Sequence, residues 1–495
     1  MTLPSGRTEM FQKRRPTLQI LSEEAVAQIV AEALSVLKKT GVFVESRQAR
    51  SLLFQAGVAV DEGRKRAYIR EDVVEKCLQT APRRIKIYDR DGRPAMDLQG
   101  LDSHFDPGSA AIHILDSDTG EIRKPCTDDL VNFARLTDAL DHFRAQSTGL
   151  VPADVPQQIG DRYRLFIALQ HCAKPVVTGT FAVEGFEVMK EMLVAVRGDE
   201  RRLRERPLAI FDCCPSPPLR WNNLTCQSLL DCARSGIPAE LVSMPLSGAT
   251  APFTLAGSLV QHTAENLSGV VIHQLANPGA PLIYGGSPAI FDMRRGTTPM
   301  GAIETMMIDA AYAQIGRHLG LPTHAYMGLS DAKVLDYQAG LESAIGAVMA
   351  VLAGINVISG GGMLDFESCQ SLEKLVIDND ICGMALRLAQ GIDQKGEKLA
   401  ADLYGDIDGG DHFLTSPETL KWLRSEPFIP SDIIDRSNRD EWIKGGARSA
   451  EVRAREQVRL ILAKHGPEPL VEPVTQELRK IMEQDARRYG LDRLP

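Results

Sequence analysis

The residue types that ordinarily perform chemistry are scattered along this chain without the spacings that would assemble them. Its ten histidines contain no H-x-H, H-E-x-x-H or C-x-x-H arrangement, and His262 and His273 stand eleven apart on one helical pattern, too far to share an ion. Ligands drawn from separate strands would leave no such spacing, so the sequence simply supports no metal site. The nine cysteines are odd in number and form no C-x-x-C. That argues against a disulfide framework or zinc ribbon, and for small core residues in a reducing compartment. The pair Cys213–Cys214 could offer a thiol, although packing is the commoner use of such a pair. Aromatic rings recur instead: Phe105, Phe181, Phe211, Tyr284, Phe291, Tyr326 and Phe366 all fall near the ends of β-prone runs. A quaternary ammonium cannot donate a conventional hydrogen bond, so proteins hold it with aromatic faces and carboxylates. Two or three of these rings would touch such a ligand and the rest would pack. Arg294 and Arg295 would either grip a substrate carboxylate through forked hydrogen bonds or stand as exposed loop charges.

The elements that must position these residues follow a regular rhythm. Short β-prone runs occupy 105–110, 146–151, 175–181, 208–212, 239–246, 282–287, 323–328 and 356–361. Helical patterns alternate with them at 127–141, 158–172, 184–197, 222–235, 252–276, 298–319, 337–353 and 373–390. Strict alternation requires parallel strands, because each helix must cross back over the sheet. Eight such units match an α/β fold of the TIM (β/α)8 barrel type. An open doubly wound sheet shares the alternation, but no G-x-G-x-x-G follows the first strand. Barrels carry their sites at the C-terminal strand ends. Here those ends supply Ser109, Thr148, Thr178, Thr180, Asp212, Ser247, Ser287, Tyr326 and Ser330, a set rich in hydroxyls and poor in acid–base groups.

Residues 1–100 read as an N-terminal helical cap, with helices from Ser22 to Leu37, Ser46 to Gln55 and Arg70 to Thr80. The barrel takes 101–395, and 396–495 form a C-terminal helical extension, clearest at 450–465 and 474–489, behind an acidic, glycine-rich stretch at Asp402–Asp411. Glu265 and Asn266 lie inside an apolar helix, where a carboxylate needs a partner such as His262, and read as structural. A formal charge of -9 argues against nucleic acid as a partner. Met1–Pro16 carries basic residues with no apolar stretch behind them, unlike a secretory signal. The longest mainly apolar stretch, Ala344 to Ile358, is too short to span a bilayer. A cytoplasmic protein with no membrane partner is expected, and a homo-oligomer remains open.

Four segments together resemble the trimethylamine methyltransferase superfamily: Asn277-Pro-Gly-Ala-Pro-Leu-Ile-Tyr-Gly-Gly286, Gly328-Leu-Ser-Asp-Ala-Lys333, Gly360-Gly-Gly-Met-Leu-Asp365 and Ser371-Leu-Glu-Lys-Leu-Val-Ile-Asp-Asn379. The resemblance implies a barrel enzyme that takes a methyl group from a methylamine and passes it to a cob(I)alamin-type corrinoid on a partner protein. Founding members carry pyrrolysine, which should fall near Asp331–Gly340, and act on trimethylamine. This chain holds standard residues only, which points to the branch associated with quaternary amines such as glycine betaine. A quaternary donor suits a pocket without a general acid, because the amine leaves neutral. Phe105, Phe181, Phe211, Tyr284, Tyr326, Phe366, Arg294 and Arg295 would then bind substrate. Gly360, Gly361, Gly362, Ser330 and Asp331 would face the corrinoid, with the glycines letting a flat macrocycle approach the backbone or closing a turn. No D-x-H-x-x-G is present, so the corrinoid (cobalamin) should arrive on a partner and not be held tightly by this chain. A tertiary methylamine donor and a non-catalytic betaine-binding protein are the alternatives.

Overall fold

Eight short strands, rich in Val, Ile, Ala and Gly and buried on both faces, run in parallel around one axis. They are β1 His104–Pro107, β2 Gln146–Ser147, β3 Val176–Thr178, β4 Ala209–Cys213, β5 Ala239–Ser243, β6 Leu282–Gly286, β7 Thr323–Tyr326 and β8 Val357–Gly361. The crossing helices are α1 Thr127–Ala139, α2 Gly160–His171, α3 Gly185–Arg197, α4 Asn223–Ser235, α5 Leu255–Ala276, α6 Ile303–His318, α7 Tyr337–Ala353 and α8 Leu372–Ala389. The structure, a computed structural model, describes residues 14–116, 118–395, 399–404, 412–491 and 493–494. Each strand pairs in parallel with its neighbours in chain order, β8 pairs with β1, and the Arg144 amide donates to the Phe105 carbonyl at 2.8 Å to close the ring. The eight expected runs all contribute, as a TIM barrel. Local chemistry sets the helix ends. Asn222 caps α4 and Ser371 caps α8 through side-chain oxygens, while Gly236 and Gly354 end α4 and α7 in the left-handed region.

Alternation along the strands sorts their side chains into two sets. Ile210 and Asp212 of β4 face the barrel interior, as do Glu240 of β5, Ile283 of β6, His324 and Tyr326 of β7, and Val357 and Ser359 of β8. Phe211, Tyr284 and Phe105 have the opposite parity and join the shell between barrel and helices.

The N-terminal region holds the three expected helices, Glu23–Lys39, Arg47–Gln55 and Glu71–Thr80, and adds strands between them. Val42–Val44 pairs in parallel with Arg220–Trp221 from the loop after β4, tying this region to the barrel. Three-residue strands are too short for alternation to announce them, so the region is mixed α/β where helices alone were expected. The hairpin Ile85–Tyr88 with Pro94–Leu98 turns at Gly92 (φ 83°) and plugs the barrel floor. There Ile85, Ile87, Met96 and Leu98 pack on Ala145, Val177, Ile210, Ile283 and Val357. In the C-terminal extension, helix Ala450–Lys464 packs on α8 and α1, and Glu472–Arg488 on α3 and α2. A fully buried bridge between Arg162 and Asp485 (2.9 Å) fastens the last helix. Most of the glycine-rich stretch (405–411) and residues 1–13 of the basic N-terminal segment lie outside the described residues. Among the described residues, no helix is long and apolar enough to cross a membrane.

Candidate active site

A cavity of about 340 Å³ opens at the C-terminal ends of the barrel strands. That is near the small end of the range for ligand pockets, about 300–1,000 Å³. Hydroxyls of Ser109, Thr180, Thr225, Ser228 and Ser287 line it, together with Phe181, Tyr326, Val242 and Met244. Its ionisable walls come from Arg164, Asp212 and Glu367. Asp212 sits at the end of β4, where the inward parity delivers its carboxyl to the cavity base. Burial pushes that carboxyl up to about 7, while Glu240, Arg164 and Tyr326 pull the other way. The Tyr326 hydroxyl lies 3.5 Å from Asp212 Oδ2. Burial likewise raises Glu367 to about 8, with the charges of Asp331 and Asp212 adding to the shift and the Ser287 hydroxyl opposing it.

Glu367 reaches the cavity through strained backbone. Asp365, Phe366 and Glu367 occupy the left-handed region in succession, at φ 49°, 56° and 65°. Each such residue costs about 1–2 kcal/mol. The Asp365 amide bonds the Ala332 carbonyl at 2.9 Å, and the Ser368 amide and hydroxyl bond Asp365, so surrounding structure holds the run. Strain kept in this way is characteristic of functional sites.

Beneath the cavity a row of buried polar groups continues into the barrel. Glu240 Oε1 lies 3.0 Å from His324 Nδ1, His324 Nε2 lies 3.1 Å from Ser359 Oγ, and Ser359 Oγ donates to Asp106 Oδ2 at 2.8 Å. Burial pushes His324 down to about 3 and both Glu240 and Asp106 upward. Burial without a charged partner favours the neutral form of each of these groups.

Of the rings expected to form a cage, Phe181 and Tyr326 line the cavity. Phe211 packs on Phe186 with centroids 5.1 Å apart, Tyr284 lies against His262 and Tyr312, and Phe105 joins the same outer shell. Their strand parity turns these three away from the interior, and that corrects the expectation that they bind substrate. Phe366 sits under the Lys333 ammonium, 3.8 Å from its ring centroid. Arg294 and Arg295 are exposed loop charges, and Arg294 pairs with Asp292 at 3.1 Å with its side chain 88% exposed.

The residues expected to face a corrinoid are also spoken for. A Cβ at Gly360, Gly361 or Gly362 would meet Met327 and Leu329, Phe143, or Gln370, all within 3.1 Å. These glycines allow the barrel wall to pack on itself, so they form no cradle for a macrocycle. Asp331 accepts from the amides of Met300 and Gly301, both at 2.9 Å, and Ser330 donates to Glu342 at 2.6 Å. Both residues tie loops together beside the cavity.

Cys214 does line the cavity, but burial and the Asp212 charge push its thiol up; Cys213, beside Cys232, is raised as well. Neither is a thiolate near neutral pH. Glu265 accepts from the Leu219 amide, Gln261 and Ser243, while His262 bonds the Gly285 carbonyl. Glu265 is structural as expected, with different partners.

Sequence reasoning missed Arg164, Glu240, His324, Asp106 and Glu367. A rim read as poor in acid–base groups is in fact underlain by four buried carboxyls. The available signal was polarity inside apolar β-prone runs, as in Ala239-Glu-Leu-Val-Ser243 and Thr323-His-Ala-Tyr326.

With this geometry in view, relatives are informative. The model of the family described as trimethylamine methyltransferase (MTTB) matches residues 4–490. The chain belongs to this family. It is 33% identical over 472 residues to trimethylamine methyltransferase MttB of Desulfitobacterium hafniense (strain DSM 10664 / DCB-2), covering 95% of each chain. It is 30% identical over 477 residues to the glycine betaine methyltransferase of D. hafniense (strain Y51), covering 96% of this chain and 98% of the relative. A solved structure, the Methanosarcina barkeri monomethylamine methyltransferase (MtmB), superposes with a TM-score of 0.46 at 11% identity, covering 89% of this chain and 94% of that one. The protein is therefore a methyltransferase of the trimethylamine methyltransferase family.

Proposed function

We propose that this methyltransferase takes a methyl group from a small quaternary amine and delivers it to the reduced cobalt of a corrinoid carried by a separate protein. The observation that carries the reading is the make-up of the cavity: aromatic faces from Phe181 and Tyr326, and carboxyls from Asp212 and Glu367, at the open end of a barrel closed below. A quaternary cation needs such faces and counter-charges and can use no hydrogen-bond acceptor. The chain presents no thiolate there, in keeping with a nucleophile that arrives from outside.

The acceptor supplies the electron pair that takes the methyl group. The C–N bond breaks, and its electron pair stays on nitrogen, so the amine leaves without needing a proton. What remains for this chain is to fix the methyl group at the cavity mouth and keep water from its far side. Exposed apolar side chains stand on the segments that follow the strands at that end, among them Ile112 (54% exposed), Phe253 (68%) and Met293 (62%), beside Phe181 (43%) at the cavity itself. An apolar rim of this kind suits a docked partner or the face of a macrocycle. These residues take the acceptor-facing role first expected of Gly360–Gly362.

A tertiary donor is the second reading. Glu367, raised to about 8, holds a proton near neutral pH that a departing amine could take up. One experiment separates the two. The protein is mixed with reduced corrinoid on a carrier protein and either a quaternary amine or trimethylamine, and corrinoid methylation is followed by absorbance. Methylation by a quaternary amine, with the demethylated product seen by mass spectrometry, is expected. Turnover of trimethylamine alone would transfer the assignment to the tertiary reading, and no turnover with any donor would overturn both.

A further inference from the structure

We propose that Arg164 selects the methyl donor by holding a carboxylate on it, so that the substrate is a small zwitterion with a methylated cationic end and an anionic end. This deepens the methyl-transfer reading and rests on it. Arg164 rises from α2 and is 1% exposed, yet it lines the cavity. Its guanidinium is incompletely used. Nη2 bonds the hydroxyl of Thr148 at 3.0 Å and the Thr148 carbonyl, whereas Nε is a buried donor with no acceptor. The Phe181 ring stacks against the guanidinium, 4.9 Å from centroid to Cζ, and fixes its plane.

A buried guanidinium calls for a counter-charge, and the two carboxyls whose charge reaches it, Asp161 and Asp212, make no hydrogen bond or ion pair with it. Asp161 spends its oxygens on the amide and guanidinium of Arg162 and on the Phe181 amide, at 2.7–2.9 Å. Asp212 Oδ2 faces the Tyr326 hydroxyl at 3.5 Å while its Oδ1 has no partner, and burial pushes the carboxyl up to about 7, so that it is mostly uncharged below that pH. Arg164 itself is lowered only to about 10 by burial, so it stays cationic at neutral pH. The empty cavity therefore carries a fixed positive charge on its β2–β3 side. Its second acidic group, Glu367, leans toward Ser287 at the end of β6, across the barrel, with Tyr326 of β7 beside it. A donor with its carboxylate at Arg164 and its methylated cation toward Glu367 and Tyr326 satisfies both walls at once. A bare methylammonium would leave the guanidinium without a counter-ion. This arrangement assigns the carboxylate grip to Arg164, not to Arg294 and Arg295 at the exposed rim.

The test compares glycine betaine with choline, which keeps the trimethylammonium head and replaces the carboxylate by a hydroxymethyl group. Binding to the intact wild-type protein is measured by calorimetry, and methyl transfer to reduced corrinoid by absorbance. The wild-type protein should favour glycine betaine by about 10- to 100-fold, the size expected for a hydrogen-bonded charge pair. Arg164→Gln should remove that preference, mainly through KM for glycine betaine, and leave choline unchanged; Arg164→Lys should restore part of it. Equal affinity of the wild-type protein for the two compounds overturns the proposal without reference to any variant. So does a uniform loss on both donors in a folded Arg164→Gln protein, which would mark Arg164 as structural. Binding that prefers glycine betaine without any methyl transfer would overturn the methyl-transfer reading and leave the Arg164 assignment standing.

Discussion

The two ends of the barrel interior are built from the same strands and could hardly differ more. At the floor, Ile210, Ile283, Val357, Val177 and Ala145 close on the hairpin residues Ile85, Ile87, Met96 and Leu98 in a dry apolar cluster. Two residues beyond Ile210 and Val357, Asp212 and Ser359 join His324 and Glu240 of the neighbouring strands in a buried polar row that ends at the cavity. The difference separates two tasks. Apolar burial at the N-terminal face supplies stability, while the C-terminal face accepts the cost of buried polar groups and left-handed backbone in order to hold a ligand.

Breaking the floor tests the first half of that division. Ile87, fully buried, changed to Ala should lose about 3 kcal/mol of stability. Thermal denaturation should record the loss, while kcat/KM of the remaining folded protein stays unchanged. A matching fall in kcat/KM would show that floor and mouth are not independent.

Breaking the mouth should do the reverse. Asp212→Asn keeps the shape but removes a carboxyl that, ionised above about pH 7 or on binding, faces a cationic donor. We expect kcat/KM for a quaternary amine to fall about 100-fold with no loss of thermal stability. Unchanged kinetics would remove Asp212 from the binding site.

The pH dependence sharpens the comparison. Asp212 and Glu367 are raised to about 7 and 8, and a cation pairs only with their ionised forms. Between pH 6 and 9, kcat/KM should therefore rise about tenfold, and binding at pH 7 should release protons. The stability effect has the opposite sign. Both groups titrate near 4 when unfolded, so the stability they contribute is complete below about pH 4 and is lost as pH rises through 7 to 8. Glu367→Gln should flatten that decline in a denaturation series at several pH values, and an unaltered decline would show that Glu367 ionises as freely in the fold as outside it.

The smallest effect concerns the loops that join the two regimes. Asp331 accepts two backbone amides, and Asp331→Asn leaves one of them short of a partner. About 1–2 kcal/mol of stability should go with it. A larger loss, accompanied by reduced kcat/KM, would mean that this loop also shapes the cavity.

Much of the barrel was legible because period is a local property. Each strand–helix unit carries its own switch from β-prone to helical patterning, and eight switches in succession leave few alternatives to a closed parallel ring. The C-terminal helices and the three N-terminal helices were visible for the same reason. The floor hairpin also carried a signal, Ile85 and Ile87 alternating outside an Asp-Gly turn, but its strands are short and one of them contains Pro94.

Parity was not legible. Strands β5, β6 and β8 are buried at every position, so apolar residues occupy both faces and nothing in the pattern says which one looks inward. Phe211 and Asp212 are neighbours in sequence; one fills the shell against Phe186 and the other charges the cavity. The sequence alone determined the eightfold alternation, the strand-end hydroxyls and the family resemblance, because each is written in adjacent residues. Only the tertiary structure brought Arg164 of α2 and Glu367 of a strained loop to the same cavity as Asp212. Closure of the barrel sets those distances, and burial, which no local pattern records, sets the charge each group carries.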